Sequence, residues 1–225
     1  MMLDFEEQRR RMVRRYREMG YIKTDEMAEA MLRVPREEFM DPAYVEYSYL
    51  DQPFPIPGDG RQTISAPYMY PVFYEPLRLK RGNKVLEIGA GSGYGAALAR
   101  ELVGSEGVVV SIEINPVTYR FAKENLKRTG YDDVLLILGD GSLGYPEEAP
   151  YDAICITASC PDVPPPLIEQ LESPGRLMAP VGSPLNPFGQ DLVLLEKDER
   201  ARIRRRKLMK VAYVPLIGKY GWSTR

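Results

Sequence analysis

Acidic residues and glycines at the ends of apolar runs carry the chemistry this sequence suggests. Glu87, Gly89, Gly91 and Gly93 alternate along Glu-Ile-Gly-Ala-Gly-Ser-Gly, and Val85, Leu86 and Ile88 form the apolar run that leads into them. Glycines at such a turn let the backbone bend sharply and approach a ligand closely. A helical pattern (Ala96, Ala97, Leu98, Leu102) follows, and the start of a helix offers unpaired N–H groups. Glu113 ends the next apolar run, about 20 residues beyond the turn, where a carboxylate can accept from both hydroxyls of a ribose. Asp140, with Gly141 behind it, ends a third run, where an acid can accept from an adenine amino group. Each acid alone reads equally well as a cap or turn residue. Together, at successive strand ends, they point to a nucleoside ligand. The turn is not the G-x-G-x-x-G of dinucleotide sites, whose third glycine would fall on Tyr94; a generic nucleotide-binding turn stays open at this stage.

What the chain lacks narrows the chemistry further. It contains no histidine, which excludes a Ser-His-Asp triad and a His-ligated zinc. Cys155 and Cys160 are too few for a disulfide scaffold and form no C-x-x-C pair; Cys155, flanked by Ala153, Ile154 and Ile156, reads as a small buried hydrophobe. No metal site is expected. The net charge of −2 gives no bulk electrostatic case for nucleic acid. The start, Met-Met-Leu-Asp-Phe-Glu-Glu, is acidic where a signal peptide is basic, and no apolar run reaches membrane-spanning length. A cytoplasmic protein with no membrane partner is expected.

These residues need a scaffold that brings strand ends together. Residues 3–19 carry an amphipathic helical pattern with Phe5, Met12, Tyr16 and Met19 on one face. Arg9, Arg10, Arg11, Arg14 and Arg15 crowd the other face and read as a solvated surface balanced by Asp4, Glu6, Glu7 and Glu18. Thr24 can cap a second helix holding Met27 and Met31, and Pro35 closes it. Residues 41–67 hold five prolines and the aromatics Tyr44, Tyr47, Tyr49 and Phe54; this reads as an ordered irregular loop laid over the site. A helix is expected over 69–79. Strands follow at 85–88, 108–112, 134–138, 153–157, 176–179, 191–196 and 210–214, with helices at 116–129 and 166–171. Glu199–Lys207 reads as a charged turn. Strands alternating with helices predict an α/β fold, a Rossmann-like, doubly wound, mostly parallel sheet with an N-terminal helical extension. The single domain is divided at about residue 80, with N-terminal helices and loop (1–80) before the α/β core and C-terminal strands (81–225).

The turn Glu87-x-Gly89-x-Gly91-x-Gly93 resembles the first motif of class I methyltransferases. Gln62-Thr-Ile-Ser-Ala-Pro67 is similar to the substrate-loop signature of protein-L-isoaspartate O-methyltransferases, of archaeal type. So are Gly139-Asp-Gly-Ser-Leu-Gly144, Ala149-Pro-Tyr-Asp152, Leu167-Ile-Glu-Gln-Leu171, Pro180-Val-Gly182 and Val214-Pro-Leu216, in the family's order. The resemblance implies an enzyme that takes S-adenosyl-L-methionine, yields S-adenosyl-L-homocysteine, and methylates the free α-carboxyl of isoaspartyl residues in damaged proteins. The ester then closes to a succinimide that can reopen to aspartate. It assigns Glu87, Gly89, Gly91, Ser92, Gly93, Glu113, Asp140, Gly141 and Ile64 to the cofactor. Ser65 and Thr63 fall to catalysis, and Ala66, Tyr68, Val214, Pro215 and Leu216 to the substrate. The chemistry needs no base, because a carboxylate with a pKa of roughly 4 is ionised at neutral pH. Ser65 reads as a positioning donor rather than a nucleophile, since nothing beside it can deprotonate it. One departure stands out: Tyr68 occupies the place of the family's usual histidine, and a phenol cannot become cationic. Isoaspartyl proteins are the expected partners of a monomer. Transfer to a small molecule or RNA, or mere S-adenosylmethionine binding without catalysis, are the other readings.

Overall fold

The computed structural model describes residues 4–186 and 189–223; the first three residues, where the expected first helix and the acidic start begin, lie outside them. Helices α1 (Phe5–Glu18) and α2 (Asp25–Arg33) form where the sequence places them. Their caps are local: the Asp4 carboxylate accepts from Glu7 N at 2.9 Å and the Thr24 hydroxyl from Met27 N at 3.3 Å. Met19 departs from expectation. It lies past the end of α1 and is 54% exposed, while Val13 takes the buried place beside Met12 and Tyr16.

The irregular segment is ordered, as its aromatics require. A 3-10 turn at Arg36–Phe39 precedes it, and it contains a second at Pro42–Tyr47 and a two-stranded antiparallel pair, β1 (Phe54–Pro55) with β2 (Thr63–Ile64). Helix α3 (Met69–Leu77) leads from it and stops at Arg78, which adopts the left-handed conformation.

The sheet comprises β3 (Lys84–Ile88), β4 (Val108–Glu113), β5 (Leu135–Leu138), β6 (Tyr151–Ile156), β7 (Leu171–Val181), β8 (Gln190–Lys197) and β9 (Ile203–Val211). Helices α4 (Tyr94–Val103), α5 (Pro116–Arg128) and α6 (Pro165–Glu169) connect its first five strands. The order is β5-β4-β3-β6-β7-β8-β9. Its first five members run parallel, and β7, β8 and β9 form an antiparallel meander. Winding reverses between β3 and β6, so the ends of β3, β4 and β6 open onto the crevice where such sheets take ligands. Successive residues of β3 feed opposite layers. Val85 joins the core beneath the N-terminal helices, α3 and α4, while Leu86 and Ile88 join the core that includes Leu167 of α6. That two-sided burial is why the strand reads as a continuous apolar run.

The end of the chain corrects the sequence reading. Only residues 198–202 make a turn; Arg204 to Lys207, expected within it, lie in β9, and Tyr213 and Val214, expected in the last strand, lie beyond it. Along β9 every residue from Ile203 to Lys210 is exposed, so hydrophobic alternation is absent and periodicity cannot reveal it. Basic side chains on a free edge also discourage further strand pairing. The strand expected at 176–179 extends to β7's full length despite Pro174 and Pro180, β6 stops short of Thr157, and α6 ends two residues before Leu171. Among the described residues no helix is long and apolar enough to cross a membrane.

Candidate active site

A cavity of about 1010 Å³, including its open mouth, lies at the carboxyl ends of β3, β4 and β6. One wall is the glycine turn. Gly91, at φ 56°, occupies a conformation side chains rarely take; a Cβ there would meet Ile56 and the Thr63 carbonyl at 3.8 and 3.9 Å, ordinary contact distances, so the backbone angle is what calls for glycine. Gly93 is required for a different reason. It caps α4 at φ 87°, and a Cβ would come within 3.0 Å of Leu126 on α5. It serves packing and does not line the cavity.

Glu113 stands at the end of β4, only 6% exposed. Its carboxylate accepts from Gly91 N and Asn115 N, both at 3.0 Å. Those bonds hold it against the turn and leave each oxygen a further lone pair for donors from a ligand. Burial pushes its pKa upward, and the backbone donors offset part of that rise. Glu87, on β3, is buried more deeply. Ser111 donates to it at 2.6 Å and the Tyr74 phenol lies at 3.4 Å. Burial raises its pKa to about 8; the Ser111 and Tyr74 bonds act in the opposite sense, and Glu113 adds to the rise.

Asp140 is placed at the end of β5 but is already engaged. One carboxylate oxygen accepts from Ser142 N and Oγ at 2.9 and 2.7 Å, and the other from Lys219 N at 2.8 Å. A single lone pair remains for an adenine amino group. The bond to Lys219 is unexpected: with Tyr220 N donating to Ser142 Oγ at 3.1 Å, it latches the C-terminal segment onto this loop. Trp222 tightens the same segment, its indole donating to Ser159 O at 2.9 Å.

The facing wall comes from elements far apart in sequence. Thr63, Ile64 and Ser65 approach from β2 and the turn after it, Tyr70, Phe73 and Tyr74 from one face of α3, and Tyr213 to Ile217 from the segment after β9. Ser65 is half-buried, and its side chain offsets part of the rise that burial imposes on the Tyr213 phenol. Thr157, just past β6, donates to Gly89 O at 2.7 Å and closes the floor.

Of the residues expected in the site, Thr63, Ile64, Ser65, Glu87, Gly89, Gly91, Ser92, Glu113, Gly141, Val214, Pro215 and Leu216 line one cavity. Ala66, Tyr68, Gly93 and Asp140 do not line it. Ala66 is buried, and Tyr68 packs on Tyr21 with ring centres 5.4 Å apart. The sequence reading missed Tyr70, Phe73, Tyr74, Thr157 and Tyr213. The first three stand at i, i+3 and i+4 of an expected helix and were legible as one face; Tyr213 had no local signal.

The cavity suits S-adenosylmethionine on its own terms. A turn with glycine at positions 89 and 91 faces the loop, Glu113 is a buried carboxylate with spare lone pairs and no cationic partner among the described residues, and Ile114 beside it is 41% exposed. Apolar faces of Phe73, Ile112 and Leu216 complete the lining. Among the described residues no cluster of His, Cys, Asp or Glu could hold a metal.

Comparison with known proteins agrees. A family model described as protein-L-isoaspartate(D-aspartate) O-methyltransferase matches residues 7–221. The chain belongs to that family. It is 48% identical over 217 residues to the protein-L-isoaspartate O-methyltransferase of Methanothermobacter thermautotrophicus, covering 96% of this chain and 98% of the other. Against the enzyme of that name from Methanopyrus kandleri it is 49% identical over 220 residues, covering 97% and 95%. A solved protein-L-isoaspartate O-methyltransferase superposes with a TM-score of 0.84 at 32% identity, covering 95% of this chain and 67% of the other. The fold also matches a Plasmodium falciparum structure titled as a putative member of the family in complex with S-adenosyl-L-homocysteine, with a TM-score of 0.79 at 24% identity and coverage of 96% and 99%. Within the isoaspartyl methyltransferase family, three of the stretches that carried the resemblance, Gln62 to Ser65, Glu87 to Ser92 and Val214 to Leu216, line this cavity, while Ala149–Asp152, Leu167–Leu171 and Pro180–Gly182 lie outside it. Tyr68, the departure from the family pattern, lies outside its lining.

Proposed function

We propose that this protein transfers a methyl group from S-adenosylmethionine to the α-carboxylate of L-isoaspartyl residues in damaged proteins. The observation that carries the reading is the convergence of the Thr63–Ser65 edge with the glycine turn and Glu113 around one cavity. When bound, the cofactor supplies an electrophilic methyl on a sulfonium. The carboxylate oxygen forms the new C–O bond as the S–C bond breaks, giving an ester and a thioether, with no proton to move.

The chain's task is therefore to bind, orient and dry the reactants. Glu113 would take the ribose hydroxyls, and Gly89, Gly91 and Ser92 would let the cofactor lie against the backbone. Ile64 and Gly141 would border it. Glu87 would face the cofactor's cationic end, and the remaining lone pair of Asp140 its adenine. Ser65 and Thr63 would donate to the acceptor carboxylate. Val214, Pro215 and Leu216 would flank the peptide, with Ala66 and Tyr68 behind the rim. Charge on both partners disappears during transfer, so the apolar lining speeds it by withholding water from the charged reactants.

Transfer to RNA finds no support in the surface. Arg11 pairs with Glu7 at 2.7 Å, Arg15 with Asp51 at 3.7 Å, Arg205 with Asp162 at 2.7 Å and Arg206 with Glu196 at 3.2 Å. Arg10 is likewise held by Glu6. Most arginines of these basic runs are held by carboxylates, Arg14 and Arg204 having no such partner among the described residues, and the net charge of −2 gives no bulk attraction for a phosphate backbone. We also read one domain (1–80 with 81–225), a monomer and a cytoplasmic location. The core shared by Met12, Met31, Phe73 and Val85 supports the first.

The test is methyl transfer from labelled S-adenosylmethionine to two peptides differing only in isoaspartate versus aspartate. A base-labile ester on the isoaspartyl peptide alone is expected. Transfer to neither, with cofactor binding intact, overturns the acceptor assignment.

A further inference from the structure

Arg36 opens the 3-10 turn after α2, and its side chain is fully buried. A buried guanidinium ordinarily has a carboxylate partner, because desolvating an unpaired charge is costly. Arg36 has none among the described residues. Its neighbours Glu37 and Glu38 are committed elsewhere, to Arg9 at 2.6 Å and Arg128 at 3.0 Å. Instead, Nε donates to Ser48 O at 2.7 Å and Nη2 to Ser65 O at 2.8 Å. The guanidinium carbon lies 5.4 Å from the ring centre of Tyr94 and 5.9 Å from that of Tyr70, and ring faces partly stabilise a cation. Nη1 is buried with no hydrogen-bond partner.

Two facts connect this cation to the cavity. Ser65 and Tyr70, which Arg36 touches, are themselves wall residues. Ser48 and Ser65 lie 17 residues apart within the irregular loop, so one planar fork fixes two separate points of it against the 3-10 turn after α2. A guanidinium does this with two donors in fixed geometry, which a lysine ammonium cannot reproduce.

We propose that Arg36 is a positioning residue for the methyl acceptor. It sets the Ser65 peptide, and hence the direction of the Ser65 hydroxyl, and its uncompensated positive charge behind the wall favours an anionic acceptor. The inference rests on the reading of Ser65 as the donor to the substrate carboxylate. Arg36 touches neither substrate nor cofactor; it acts through Ser65.

The experiment is a double-mutant cycle of Arg36→Lys and Ser65→Ala, with steady-state kinetics on an isoaspartyl peptide and calorimetric titration with S-adenosylhomocysteine. Arg36→Lys is expected to lower kcat/KM by about 100-fold, the scale of a small misplacement of a reacting group. S-adenosylhomocysteine affinity should stay within about twofold, because that half of the cavity is built by the strand ends. In the Ser65→Ala background the same change should cost less than about fivefold, since its target is gone. Full effects in both backgrounds, or equal losses in peptide and cofactor binding, would mean a loop pin and overturn the inference. Unimpaired Arg36→Lys beside a crippled Ser65→Ala also overturns it. Unimpaired Ser65→Ala instead sinks the underlying reading of Ser65. Should Arg36→Lys not fold, Arg36→Ala with added guanidinium is the second variant. Restored kcat at unchanged cofactor affinity is expected, and cofactor binding recovering without turnover counts against positioning.

Discussion

The two walls of the cavity are built by different means. The wall we propose takes the cofactor consists of strand ends and the turns directly after them: Gly89 to Ser92 after β3, and Glu113 at the end of β4. Its bonds are short-range or between neighbouring strands, such as Gly91 N to Glu113. The facing wall combines one face of helix α3, the two-residue strand β2 and irregular segments. Ser65 is held by Arg36 from 29 residues away, and the C-terminal segment is held by Asp140 from 79 residues away. The first wall inherits its rigidity from the sheet. The second joins segments distant in sequence, through side-chain bonds from Arg36 and Asp140 and backbone bonds such as Ser159 N to Val214 O at 2.7 Å. This division suits an enzyme whose cofactor is constant while its substrates are damaged sites in varied proteins.

That contrast can be broken most directly at Ser65. Ser65→Ala should lower kcat by about 100- to 1000-fold, the scale of losing one aimed donor, with S-adenosylhomocysteine affinity unchanged by calorimetry. Glu113→Ala should do the reverse. Loss of a charged acceptor is expected to weaken cofactor binding by about 10- to 100-fold, with a smaller effect on kcat at saturating cofactor. Swapped patterns would mean that the walls have been assigned to the wrong partners.

Asp140 is where the two walls join, and it sharpens the comparison. Because its carboxylate holds Ser142 and Lys219 together, Asp140→Ala should raise both the cofactor Kd and the peptide KM, each by about 10-fold, the worth of one charge-assisted bond. A change in cofactor affinity alone would reduce Asp140 to an adenine contact.

Glu87 provides a pH signature confined to the cofactor wall. With its pKa raised from 4.5 to about 8, the folded protein without cofactor holds a proton that the unfolded chain has released in that interval. Stability contributed by this group therefore declines as pH rises from about 4.5 to about 8. Glu87→Gln should flatten that part of the Tm-versus-pH curve. Below pH 8, binding of the cationic cofactor should release a proton, measurable by calorimetry in two buffers of different ionisation enthalpy, and Glu87→Gln should abolish the release. The smallest effect is expected far from both walls: Arg204→Glu on β9 should leave kcat/KM within about twofold, as for surface changes generally.

Legibility in the sequence followed the same division. The strand, turn and helix around Gly89–Gly93 were readable because apolar run, glycines and helical periodicity are all local. The cap at Thr24 was readable for the same reason, whereas Asp4, read as a surface acid, proved to cap α1. β9 was not, because a strand exposed along its length carries no alternation. Met19 was misplaced because a helical pattern does not say where the helix stops. Asp140 was correctly put at a strand end, but its partner, Lys219 N, is a backbone group and has no sequence signature.

What the sequence alone determined is the order of elements, the α/β class, the acids at strand ends, the family motifs and the absence of any imidazole base. Torsional preference, hydrophobic period and residue chemistry are properties of neighbouring residues, so they survive without coordinates. Only the tertiary structure decided that Arg36 stands behind Ser65 with no carboxylate partner among the described residues, that Tyr213 lines the wall facing the glycine turn, that Tyr68 turns to Tyr21, and that the C-terminal segment is tied to Asp140. Those contacts depend on where the chain returns after many residues, and packing settles that.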